Sequence, residues 1–386
     1  MAPLESWEKV LVDAETFPNS IHGMVECHEC HGGTQSPEKE IAHTDLIAYP
    51  SENPQATCET CHPNIVAHNE MSLHKSLAGY WTALDQRGIP ENHPDVQEGF
   101  QNHCRECHAT CGECHVSQPR LVGSGFIDGH MFNAKPSMTQ NCTACHGSRV
   151  GNEYLGKHED LKADIHFRQG RMTCVDCHTA DEMHGTPENC DSCHAGPESD
   201  QLPPADHRYA GVQSPSCESC HPVVATGEDE IIMHQMHGST LSCQVCHSVS
   251  YTSCDNCHLA ISEQTGNPFY TTDSSYLTFL IGKNLNQSYA RPYDFVTVRH
   301  IPVFPETFGF YGDNLLPEFN NLETWKFTTP HNIQRNTPQN ESCNACHGHE
   351  EYFLTTDKVS PEELEANIDV IMDTIPQPIT SSLQIP

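Results

Sequence analysis

Cys104-Arg105-Glu106-Cys107-His108-Ala109-Thr110-Cys111-Gly112-Glu113-Cys114-His115 decides the architecture: two Cys-x-x-Cys-His units with only Ala109 and Thr110 between them. Outward from this pair the same unit recurs, and the eleven copies begin at Cys27, Cys58, Cys104, Cys111, Cys142, Cys174, Cys190, Cys217, Cys243, Cys254 and Cys343. The chain has 22 cysteines, so none lies outside a unit. The second cysteines are Cys30, Cys61, Cys107, Cys114, Cys145, Cys177, Cys193, Cys220, Cys246, Cys257 and Cys346.

Cys-x-x-Cys-His is the attachment signature of c-type haem, and the spacing has a mechanical reason. Two cysteines three apart on a helical turn offer both sulfurs to one ring's vinyl groups, and the next histidine lies under the iron. Zinc sites, disulfides and thioredoxin-like redox pairs also use Cys-x-x-Cys, but none requires the histidine. His occupies 28 of 386 positions; its chance occurrence after all eleven pairs is on the order of 10⁻¹² to 10⁻¹³. The expected cofactor is therefore haem c, eleven per chain. The proximal ligands are His31, His62, His108, His115, His146, His178, His194, His221, His247, His258 and His347.

Composition agrees. Apolar residues make up 36% and aromatics 7%, thin for an ordinary core of this length; macrocycles would replace the missing side chains. At one haem per about 35 residues, haems must touch haems. The formal charge of −33 argues against nucleic-acid or anionic-membrane partners, which need a field of the opposite sign. The longest apolar stretch, around 276–281, is far short of a bilayer span.

Seventeen further histidines could supply distal ligands, and the surplus suggests two histidines per iron. The best placed are His22, His43, His74, His130, His166, His184, His207, His234, His237, His300 and His331. His234 and His237, neighbours on one helical turn, could serve two different haems. His28, His68, His93, His103, His158 and His349 read as surface histidines or as supports for ligands. The ten methionines read as packing against rings.

Successive motif starts are separated by 31, 46, 7, 31, 32, 16, 27, 26, 11 and 89 residues. The expected fold is mostly coil with short α-helices wrapped around a chain of stacked haems, with little regular sheet. Three regions are expected: a ten-haem region 1–258, a haem-free β-rich insertion 259–342 that supplies distal ligands, and 343–386 with the last haem and an extended tail. In the insertion, 276–281 and 295–301 are β-branched and aromatic as strands require, and 308–311 and 325–328 read as two more. A docking or substrate module is the other reading of the insertion. In the tail, Ser360-Pro361-Glu362-Glu363-Leu364-Glu365 reads as a helix with Pro at its first position. Beyond it the chain is expected either to pack on a neighbouring subunit or to fray.

With these motifs in view, the chain resembles the multihaem c-type cytochromes of respiratory electron transfer over residues 22–349. The segments 104–119 (CRECHATCGECHVSQP), 141–154 (NCTACHGSRVGNEY) and 164–178 are similar to a group of periplasmic and extracellular members. The resemblance implies bis-His haems in a continuous chain of stacked and perpendicular pairs, secretion and long-range electron transport. Some members of such groups polymerise into extracellular filaments, and the haem density here is similar to theirs. There is no Cys-x-x-Cys-Lys unit of the kind that marks the active haem of pentahaem nitrite and octahaem tetrathionate reductases.

The function expected from these residues is an electron conduit rather than an enzyme. Its partners would be other copies of the chain, other multihaem cytochromes and an extracellular electron acceptor, with no nucleic acid and no membrane span. The alternatives are a reductase or oxidase of a small nitrogen or sulfur compound with one open-site haem, and a periplasmic shuttle in an outer-membrane complex. Residues 1–6 run straight into polar sequence with no apolar leader. Covalent haem attachment follows export, so the cell exterior is the expected compartment, the periplasm the second, with a leader absent from this sequence.

Overall fold

The computed structural model describes residues 4–77, 81, 84, 87–88, 93–104, 109–158, 160–185, 215–225, 227–251, 253–287, 292–301 and 304–380; for 104, 148–149, 225, 253–260 and 270–277 only the backbone is described. Coil and short helices dominate, with a small three-stranded antiparallel sheet.

Single helical turns build the motifs. Cys27–His31, Cys111–His115 and Cys243–His247 are five-residue α-helices. In four others the motif histidine N–H donates to the first cysteine's carbonyl: His62 to Cys58, His146 to Cys142, His178 to Cys174 and His221 to Cys217, each at 2.9 Å. His347 does the same to Cys343 at 3.1 Å. This one-turn closure puts both cysteines of a unit on one side. The tenth motif differs, since its backbone lies in strand β1 (Ser253–Ile261), paired antiparallel with β2 (Pro268–Leu277), with a register break between Cys254 and Asn256.

Strands β3 (Phe279–Lys283), β4 (Phe295–His300) and β5 (Trp325–Phe327) form the antiparallel sheet in the order β3-β4-β5. Leu280, Val296, Val298 and Trp325 meet Leu354, Val359, Val370 and Ile371 in one core. The insertion and the C-terminal segment are thus packed as one unit. The tail reads differently from expectation up to residue 380, because it packs on its own chain. Lys283 N–H donates to Val370 O at 2.8 Å, Gly348 N–H to Pro376 O at 2.7 Å and Ile379 N–H to Asn344 Oδ1 at 2.7 Å. The isoleucines at 371 and 375 pack onto the sheet side rather than waiting for a neighbour. The expected strand at 308–311 is a series of turns; Phe308 is buried there with Leu84, Val96, Leu316 and Phe319. Its aromatic run fills a local core and pairs with no neighbouring strand.

The core is unevenly distributed. Among the described residues, seven buried apolar side chains precede residue 250 and fourteen follow it, whereas twenty of the twenty-five exposed large apolar side chains precede it. Ile21 is 80% exposed and Met24 74%, both beside the first motif. Surface of this kind normally marks a site that something covers. No helix among the described residues is long and apolar enough to cross a membrane.

Candidate haem sites

Eight motif histidines each face one other histidine across a nearly constant gap. The ring centroids of His62 and His22 are 6.2 Å apart, His31 and His130 6.0 Å, His146 and His74 6.1 Å, and His115 and His184 6.1 Å. His221 and His166 are at 6.1 Å, His178 and His331 at 6.4 Å, His247 and His234 at 6.0 Å, and His347 and His237 at 6.2 Å. A direct N–H···N bond would bring the centroids to about 5 Å. Two imidazoles bonded to opposite sides of one iron at about 2 Å, with about 1.1 Å from nitrogen to ring centre, place them about 6.2 Å apart. The residues present therefore fit bis-His haem. No group of three or more His, Cys, Asp or Glu gathers as a metal site among the described residues, and a haem iron needs only two protein ligands.

In eight of these sixteen histidines Nδ1 has an acceptor, while Nδ1 of His130 and of His331 is buried without one. Nδ1 of His31 donates to Ile47 O (2.9 Å), His115 to Asn133 O (2.7 Å), His247 to Gln334 O (3.0 Å), His347 to Gln377 O (3.1 Å) and His237 to Met233 O (3.1 Å). Carboxylates take the others: Asp164 from His166 at 2.9 Å, Glu182 from His178 at 3.1 Å, and Asp229 from His234. Each contact fixes the tautomer with the proton on Nδ1 and leaves Nε2 as the free lone pair. Burial, with a smaller contribution from a neighbouring histidine, lowers the pKa of His22, His130, His146, His184 and His331, which favours the neutral ligating form. The carboxylates raise His166 and His178 instead.

Local sequence explains how these side chains are aimed. Asp164 caps the helix Ile165–Gly170 by accepting from His166 N–H at 2.8 Å, and its second oxygen accepts from Ile333 N–H at 2.8 Å. One buried carboxylate thereby sets His166 and anchors the loop that carries His331. Gln334 extends this loop by donating to Lys162 O and Ala163 O, while its own carbonyl holds His247. His234 and His237 share the helix Ile232–His237 and face two different motifs, His247 and His347. The C-terminal tail, through Gln377 O, orients His347.

The sites form a connected series. The first and second motifs are linked through Cys30 and Cys58, the second and fourth through Cys111 and Cys58, and the fourth and fifth through Cys114 and Cys142, in each case close enough for the second thiol to raise the pKa of the first. The Cys142 and Cys174 thiols lie side by side, as do those of Cys217 and Cys243, each pair shifting one another's ionisation; Cys177 lies by Cys217 and Cys220, and Cys246 by Cys346. Burial pushes the Cys114 thiol up to about 12 and Cys246 up to about 11, the opposite of an activated redox cysteine.

The remaining expected ligands fall into two groups. The side chains of Cys104, Cys254, Cys257 and His258, together with Cys107, His108, Cys190, Cys193, His194 and His207, lie outside the described residues. His43 is exposed at the end of the helix Lys39–Ala42 and faces no motif histidine among the described residues. His300 is a correction. Its Nδ1 donates to Ile301 O at 2.6 Å and its Nε2 bonds the buried Glu363 carboxylate at 3.0 Å, so both nitrogens are engaged and the ring stacks near Phe304 and Trp325. It secures the sheet to the short helix Pro361–Glu363 and faces no motif histidine among the described residues. Comparison with family models, with curated proteins and with solved structures finds no match to this chain.

Proposed function

We propose that the chain is an electron-transfer conduit that carries haem c at its eleven motifs, each iron held between two histidines. The observation that carries this reading is the set of eight histidine pairs at 6.0 to 6.4 Å, linked motif to motif by neighbouring cysteines. Haem, when bound, would supply a one-electron couple and an apolar body for the exposed apolar side chains of the first 250 residues to pack against. The residues of the chain do the rest. The paired histidines would hold each iron from both sides and leave no place there for a substrate; the Nδ1 acceptors at eight of the rings orient them and raise their basicity. Acidity sets the potential range. With ionised propionates and ferric irons the −33 of the polypeptide becomes about −44, and full reduction takes it to about −55. Such a field disfavours added electrons and lowers the potentials.

This reading requires partners at both ends of the series, either other multihaem cytochromes or copies of the chain, and places the protein outside the cytoplasm, at the cell exterior. Redox titration of the Soret and α bands tests it, with a broad transition at low potential as the expected result. A narrow transition well above the hydrogen-electrode zero, or carbon monoxide binding to most reduced haems, would overturn it.

A further inference from the structure

The chain has 19 lysines and arginines against 52 acidic residues, and several of these cations meet a carboxylate in the fold. Arg120 meets Glu52, Lys135 meets Asp176, Lys283 meets Asp373, Arg299 meets Glu153 and Lys326 meets Glu323. Lys162, Arg168 and Arg335 instead surround one open cavity of about 520 Å³. All three are exposed, and none meets a carboxylate among the described residues. Arg168 Nη2 donates to the neutral Gln334 Oε1 at 3.1 Å. Asp160 is the single acidic residue among the described lining, so the wall carries three positive charges and one negative, +2 in a chain of formal charge −33. Ile165, Val249 and Pro338 supply apolar wall.

No motif cysteine and neither histidine of any facing pair lines this cavity among the described residues. It therefore lies outside the gaps into which haem discs fit. Its walls are nevertheless the elements that aim two of the pairs. Ile165 and Arg168 belong to the helix Ile165–Gly170, which carries His166 opposite His221. Gln334 O accepts from Nδ1 of His247, which faces His234, at 3.0 Å. With about 2 Å across the ring and about 2 Å to the iron, that carbonyl stands about 7 Å from the iron that His247 would hold. An occupant of the cavity touches the residue that orients this ligand.

We propose that this cavity binds a small organic anion from solution, a carboxylate on an apolar or aromatic body, and that its occupancy is linked to the redox state of the haems held by His166 with His221 and by His234 with His247. The linkage rests on the conduit reading; the anion site does not. Guanidinium forks match carboxylates in geometry and charge, and a cavity of this volume with apolar walls and a few charged groups suits a small organic ligand. Elsewhere the acidic surface repels such a molecule, whereas the local excess of cations offsets that field. An anion beside the irons favours the ferric state, so oxidation must tighten its binding by the same factor that binding favours oxidation. A propionate of either neighbouring haem is the other source of the same carboxylate chemistry, and the test separates the two.

The test adds phthalate, with neutral phthalamide as control, to the intact haem-loaded protein at fixed ionic strength. Calorimetry is expected to show saturable binding of one phthalate and none of phthalamide, about fivefold or more tighter to the ferric than to the ferrous protein. Spectroelectrochemical titration is expected to show up to two-elevenths of the amplitude moving downward as phthalate saturates. Arg335→Gln removes a cation that no described carboxylate meets and leaves the backbone of the Gln334 loop intact; it is expected to lose both effects, and Arg335→Lys to keep them. No saturable binding, equal binding of phthalamide, or binding unchanged in Arg335→Gln overturns the site. If the unsubstituted protein binds no phthalate while Arg335→Gln alone lowers a midpoint, a propionate already fills the cavity and the free-anion assignment is overturned. Phthalate bound equally in both redox states overturns the linkage and leaves the anion site standing. A haem content far below eleven per chain overturns the conduit reading, and the linkage with it, independently of phthalate binding.

Discussion

Replacing Asp164 by Asn removes one negative charge from the end of a single ligand while changing almost no volume. Asp164 Oδ1 accepts from His166 Nδ1 at 2.9 Å, and that ring faces His221. With about 2 Å across the ring and about 2 Å to the iron, the carboxylate stands about 7 Å from the metal. At an effective dielectric of about 20, a unit charge at that distance interacts with a change of one charge on the iron by about 2.4 kcal/mol, or about 100 mV. The carboxylate favours the ferric state, so Asp164→Asn is expected to raise one midpoint by roughly 50 to 100 mV, the lower bound allowing for solvent screening at the half-buried histidine. Spectroelectrochemical titration reads this as one-eleventh of the amplitude moving upward. The same substitution sets an amide against Ile333 N–H, which the carboxylate now accepts at 2.8 Å, at a stability cost of about 1 to 3 kcal/mol. A titration superimposable on that of the unsubstituted protein, or a downward shift, would refute the assignment of His166 as an iron ligand tuned by Asp164.

Two further outcomes follow from the same contacts. Glu363 is depressed in pKa: burial opposes ionisation, but hydrogen bonds from His300 and Thr324 outweigh it. Its contribution is therefore present above the unfolded carboxyl value of about 4.3 and lost as pH falls through the lower folded value. Glu363→Gln should cost roughly 3 kcal/mol at neutral pH and flatten the loss of stability below about pH 4, measured by denaturant unfolding at several pH values. Gly185 has φ +70, and a Cβ there would lie 2.4 Å from Ser72 N and 2.8 Å from His68 O. Gly185→Ala should force apart the segments that carry His74 and His184, and should broaden the low-spin signals of two haems without changing the haem count.

Much of the candidate site was legible because the motif is local in sequence. The one-turn closure of Cys-x-x-Cys-His is local, so the motif positions and their histidines follow from residues at most four apart. Which histidine faces which motif was not legible, because that is set by tertiary structure. His130 reaches back to His31, His184 to His115 and His74 forward to His146. His234 and His237 were readable as a pair for two sites because helical spacing alone separates their directions. His300 misled because a histidine at the end of a β-branched strand says nothing of the glutamate that meets it from 63 residues away. The tail misled for a similar reason, since its isoleucines have a partner face only once β3, β4 and β5 are assembled. The thin apolar content has its counterpart in the exposed apolar residues of the motif-rich part of the chain.

The most direct measurement is an electron cryomicroscopy map of the native material. The account expects a haem disc between the rings of every pair from His31 and His130 to His347 and His237, thioether-linked to the two cysteines of the same motif. Density that leaves these pairs in direct contact, or that places the irons elsewhere, would contradict it.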